Sequence, residues 1–104
     1  MATRKKSAAV SFLEGIAGGP LTLGRLIYAI RIGEKMSQVG FAEKLGISKS
    51  HLCDIEKDRK PISPVRAAGF AKRLGYSEVQ FVQLAVQDSM KRAGLSYKVH
   101  IEAA

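Results

Sequence analysis

Apolar residues recur along this chain at helical spacing, and residues that cap or stop helices cut the pattern into short pieces. From Thr22 onward, Leu23, Leu26, Ile27 and Ile30 fall at i, i+3, i+4 and i+7, which predicts a first helix with one apolar face. Ser37 reads as the cap of a second helix whose Phe41, Ala42 and Leu45 point one way. Gly46 is placed to end that helix in the left-handed conformation. Ser48 caps a third helix almost at once, over 49–57, with Leu52 and Ile55 as its apolar side. So short a connection forces an angle between the second and third helices, and Ala42 is small enough to let them approach. Ser63 before Pro64 supplies a cap and a first-turn proline, and Gly75 closes a fourth helix of about 64–74. Ser77 with Gln80 forms a capping box for a fifth helix, which carries Val79, Val82, Val86 and Met90 and ends near Gly94.

Beyond Gly94 the period changes. Tyr97, Val99 and Ile101 alternate with Lys98, His100 and Glu102, which predicts one half-buried β-strand. A lone strand leaves its backbone groups unpaired, so it is expected to pair with a second copy, with the N-terminal segment or with a partner protein. Pairing in a homodimer is favoured. At the other end, residues 1–20 read as a flexible basic arm carrying Arg4, Lys5 and Lys6. A short helical turn over 11–17 is broken by Gly18-Gly19-Pro20. The expected organisation is therefore the arm at 1–20, a helical domain at 21–76, and a C-terminal helix and strand at 77–104 that serve dimerisation. The fold class is all-α, five helices with a short C-terminal strand.

Composition narrows the partners. With 104 residues the chain has room for a single core, and 17 Lys and Arg against nine Asp and Glu leave a net charge of +8, which favours polyanions. Its one cysteine, Cys53, has no intrachain partner for a disulfide, and no apolar run is long enough to span a membrane. The apolar patches near the start are split by Ser11 and stopped by Glu14, unlike a secretory signal. A cytoplasmic location without membrane contact is expected.

The segment Met36 to Glu56 carries the function. Two short capped helices around a glycine turn are how a helix-turn-helix DNA reader is written. On the third helix Leu52 and Ile55 share one side, while Lys49, Ser50, Cys53, Asp54 and Lys57 spread over the opposite arc. In a major groove Lys49 can donate to guanine, Asp54 can accept from cytosine, and Ser50 can do either. Lys49, Ser50 and Asp54 are thus the expected base contacts. Gln38, opening the preceding helix, is expected to grip a phosphate together with that helix's free N–H groups. Lys57, Arg59 and Lys60 lie just beyond the reading helix and are expected to clamp the flanking phosphates.

Arg31, Ser37-Gln38, Phe41-Ala42, Leu45-Gly46, Ile47-Ser48, Leu52, Ile55 and Glu56 together resemble the Cro and lambda-repressor (XRE) family of helix-turn-helix regulators. The resemblance covers roughly residues 21–74. It implies a lambda-repressor-like fold, base contacts from Lys49, Ser50 and Asp54, and a phosphate contact from Gln38. It also implies a buried ion pair between Arg31 and Glu56. Three positions depart from the family pattern. Asp58 stands where glycine is frequent after the third helix, Gly40 weakens the second helix by roughly 1 kcal/mol against alanine, and Asp54 turns negative charge toward a polyanion.

Other chemistry is sparse. His51 and His100 lie far apart with one cysteine between them, which is not a metal-ligand spacing, and Cys53 lacks a resolving partner for a redox switch. No nucleophile paired with a base and no phosphate loop is found, so neither a cofactor nor enzyme activity is expected. The leading reading is a dimeric repressor that inserts the 49–57 helix into the major groove of a palindromic operator. Two copies place their reading helices about 34 Å apart. Val82, Val86, Tyr97, Val99 and Ile101 are the expected dimer contacts. An antitoxin that binds a toxin protein and represses its own operon stays open, with the tail or Phe12-Leu13 as the toxin-binding element. So does a nonspecific architectural DNA binder.

Overall fold

The computed structural model describes residues 21–104, so the basic arm and the Phe12-Leu13 segment lie outside the described residues. Among the described residues there are five helices: α1 (Leu23–Gly33), α2 (Gln38–Leu45), α3 (Lys49–Glu56), α4 (Pro64–Leu74) and α5 (Glu78–Arg92). Each begins at a hydroxyl cap. Thr22, Ser37, Ser48, Ser63 and Ser77 accept from the backbone N–H three residues on, satisfying a donor that the helix itself leaves unpaired. Gly46 ends α2 at φ 77°, where a side chain would be strained, and this turn sends the chain into α3 after only residues 46–48.

One core joins all five helices. Leu23 and Ile27 of α1, Phe41 of α2, Leu52 and Ile55 of α3, and Phe81 of α5 are its large, fully buried side chains. Each contributes about 1.5–3 kcal/mol by leaving water. The fourth helix adds Ala67, Phe70, Ala71 and Leu74, and packs against α5 more extensively than any other pair of helices meets. The fifth helix also reaches α1, where the Asp88 carboxylate accepts from the Leu23 N–H at 3.0 Å. Thus α5 closes the back of the domain, with Phe81 and Ala85 in the core and Val82 and Val86 half-buried.

The expected C-terminal strand does not form. Among the described residues there is no strand, and residues 97–101 lie along α5 instead. Gln87 donates from its amide to the Tyr97 carbonyl at 2.8 Å and accepts from the Val99 N–H at 2.8 Å; Gln83 accepts from the Ile101 N–H at 3.0 Å. The match is geometric. Residues four apart on a helix are separated by about 6 Å along its axis, and residues two apart in an extended chain by about 6.6 Å. Two glutamines one turn apart therefore meet alternate backbone groups. The period-two pattern is real, with Val99 and Ile101 half-buried, but side chains take the place of a neighbouring strand.

Candidate nucleic-acid interface

The third helix is oriented by its apolar side. Leu52 and Ile55 are fully buried, which turns Lys49, Ser50, Cys53 and Asp54 toward the opposite arc. These four line an open concavity of about 290 Å³ together with Gln38 and Arg59. Lys49 and Ser50 are exposed at the first turn, and Cys53 and Asp54 are half-buried one turn on. Lys57, Arg59 and Lys60 follow at the C-terminal end, all exposed.

Behind this face sits the one buried charged residue among those described, Glu56. Arg31 Nε donates to Glu56 Oε2 at 2.7 Å and Nη2 to Oε1 at 3.1 Å, a two-point pairing of planar groups. Arg31 Nη1 also donates to the Met36 carbonyl at 3.0 Å, and the guanidinium lies 5.5 Å from the centre of the Tyr28 ring. The hydrogen bond to Glu56 pushes the Arg31 pKa up, against the opposing effect of burial. Gln38 completes the cluster, its Nε2 donating to Glu56 Oε1 at 3.0 Å. Arg31 and Glu56 together thereby tie α1, the turn before α2, the first residue of α2 and the end of α3. No buried side-chain nitrogen or oxygen among the described residues lacks a partner, so the cluster is satisfied as well as charged.

The Gln38 amide thus has a protein acceptor as well as a place beside the concavity. A primary amide carries a second N–H besides the one given to Glu56. Asp54 is not a bare negative charge either. Arg59 Nη1 lies 3.5 Å from Asp54 Oδ1, and the Arg59 N–H donates to the Asp54 carbonyl at 2.8 Å. The answer to this carboxylate comes from Arg59, a residue that the linear reading assigns to flanking phosphates.

Asp58 explains its departure from glycine. It takes the left-handed conformation at φ 58°, and its carboxylate accepts from the Thr22 hydroxyl at 2.9 and 3.1 Å. The Asp58 carbonyl accepts from Arg92 Nη2 at 2.9 Å. A glycine would relieve the backbone but forgo the link to α1. Three contributors are missed by sequence reasoning: Gly24, Asp88, and the pair Gln83 and Gln87. Gly24 lies inside an apolar helical pattern and gives a weak signal only. The glutamines are marked by their spacing of four opposite a period-two segment.

Capped helices joined at a left-handed glycine, with the second presenting a polar outer face beside a cluster of arginine and lysine, define a helix-turn-helix DNA-binding module. The helix-turn-helix family model matches residues 27–81, just over half of the chain. The chain belongs to that family, in its Cro and lambda-repressor (XRE) branch. It is similar to the immunity repressor protein of Bacillus phage phi105, with 51% identity over 39 residues. That stretch is 38% of this chain and 27% of the phage protein. No solved structure matches. No helix among the described residues is long and apolar enough to cross a membrane.

Proposed function

We propose that the protein is a sequence-specific transcriptional repressor that binds palindromic operator DNA as a dimer. The observation that carries this reading is the outward face of α3, where Lys49, Ser50 and Asp54 stand exposed or half-exposed on a helix locked from behind by Arg31 and Glu56. In the complex α3 enters the major groove. Lys49 donates to guanine O6 or N7 and Ser50 adjusts to the neighbouring base. Gln38, held by Glu56, turns its second N–H to a phosphate, and Lys57 and Lys60 contact the flanking backbone. The name of the phage relative supports repression as the outcome of binding.

One reading helix contacts few base pairs, so useful discrimination needs two. The dimer surface we favour is α5 with the tail. Val82, Val86, Val99 and Ile101 are half-buried there, and Tyr97 and Leu95 are exposed large apolar side chains. The test is selection of bound sequences from random duplex DNA at physiological salt, with the mass of the complex measured alongside. A palindromic consensus bound by two chains is the expected result. Tight binding without any consensus would overturn the reading.

A further inference from the structure

Arg59 and Asp54 lie against each other on the rim of the concavity that Lys49 and Ser50 also line. The contact is built by the chain's own turn. Asp58 adopts positive φ, the Asp58 and Arg59 N–H groups donate to the Ile55 and Asp54 carbonyls at 3.0 and 2.8 Å, and the chain folds back over the end of α3. This returns Arg59 to the reading face instead of letting it run outward along the flank. Its side chain is 60% exposed, whereas that of Asp54 is 30% exposed. The carboxylate is therefore the sheltered member and the guanidinium the one presented.

From this geometry we infer that Arg59 reads a base and that Asp54 positions it. A carboxylate at the centre of a DNA-reading face repels phosphate unless a cation neutralises it. Arg59 does so through Nη1, 3.5 Å from Asp54 Oδ1. A guanidinium has five N–H donors in a fixed fork, so with Nη1 turned toward Asp54 the parallel Nε and Nη2 donors still face outward. That pair matches the O6 and N7 acceptors of a guanine in the major groove. Asp54 draws the fork toward the concavity and away from the flank. A phosphate accepts a fork from many directions, whereas guanine accepts it only in the plane of the base pair, so direction matters more for base reading. The inference rests on the DNA-reading function proposed above, and assigns a residue beyond the helix to the specificity of that same site.

The experiment is selection from random duplex DNA at physiological salt with the full-length parent, Arg59→Lys, Asp54→Asn and the double variant, with the salt dependence of binding to the parent's best site measured for each. Arg59→Lys keeps the charge and loses the fork. The expected result is that Arg59→Lys and Asp54→Asn relax the same G·C position and each weaken the best site about 10- to 100-fold. The double variant should do no worse than Arg59→Lys, and the salt slope of Arg59→Lys should match the parent's. A consensus unchanged in Arg59→Lys would overturn the inference and leave Arg59 as a phosphate contact, with the proposed function intact. Relaxation by Asp54→Asn alone would also overturn it, because Asp54 would then accept from a cytosine directly. A parent that selects no consensus would overturn both this inference and the function on which it rests.

Discussion

The backbone of Gly24 in α1 lies directly against the Ile55 carbonyl near the end of α3, with no space between them for a methyl group. A Cβ on Gly24 would overlap that oxygen and come within 2.7 Å of Asp58 Oδ1. Neither neighbour yields easily, since one is backbone and the other is held by the Thr22 hydroxyl. Gly24→Ala should therefore destabilise the fold by about 1–3 kcal/mol despite alanine's better helix propensity. Gly69 is the internal control. It lies in α4 with nothing in the way of a Cβ, and Gly69→Ala should stabilise by about 0.4–1 kcal/mol. Chemical denaturation of both variants checks the contrast, and shifts in the same direction would refute it.

Removing Glu56 leaves the Arg31 guanidinium in a nearly closed site with only the Met36 carbonyl and the Tyr28 ring beside it. Glu56→Ala should cost about 3–5 kcal/mol, because the unpaired charge, more than the lost attraction, sets the penalty. A thermal melt coincident with that of the parent would rule out the role. Gln38 should also lose its fixed orientation, so in binding assays Glu56→Ala is expected to weaken every DNA sequence together.

Base contacts and phosphate contacts separate by their salt dependence. Lys49→Ala should relax preference at one base position. Lys60→Ala should weaken all sequences alike and reduce the slope of log K against log salt by about 1. Binding titrations over a salt series distinguish the two. If both variants behaved identically, the division of roles between the reading face and its flank would be wrong.

Asp88 makes the link between α5 and α1 sensitive to pH. Burial pushes its pKa up, the Leu23 N–H bond draws it down, and nearby Asp58 raises it further against Arg92 and Lys91. A folded-state value above the unfolded one means that its contribution is fully present below the ordinary aspartate range, around ~3.9, and is lost as pH rises through the raised value. Asp88→Asn keeps an acceptor for Leu23 and removes the titration. The parent's stability relative to Asp88→Asn should accordingly be greater at ~pH 4 than at ~pH 7. Melts of the two proteins across that range check this, and a difference independent of pH would contradict it.

The glutamine pair on α5 should control the tail. In the double variant Gln83→Ala with Gln87→Ala, the Val99 and Ile101 amides lose their acceptors and should exchange with solvent faster, while those of α1 to α4 are unaffected. Each such bond contributes about 0.5–1.5 kcal/mol net. Hydrogen exchange read residue by residue tests this, and unchanged protection at Val99 and Ile101 would show that something else holds the tail.

The helices are legible in the linear chain because their signals are local. Caps at Ser37, Ser48, Ser63 and Ser77 act within one turn, and the apolar faces of α1 and α3 follow from a fixed angular step per residue. Lys49, Ser50, Cys53 and Asp54 were legible as one surface for the same reason. Which groups far apart in the chain satisfy one another is set by packing. Nothing local tells Asp58 that Thr22 will donate to its carboxylate, or Asp54 that Arg59 will fold back beside it. Periodicity likewise marks 97–101 as extended, but the strand it predicts does not form, because a pair of glutamines takes those backbone groups at nearly the spacing a neighbouring strand would offer. Local pattern sets conformation; only packing brings each polar group to a particular partner, and at this interface the partners orient the side chains on which function depends.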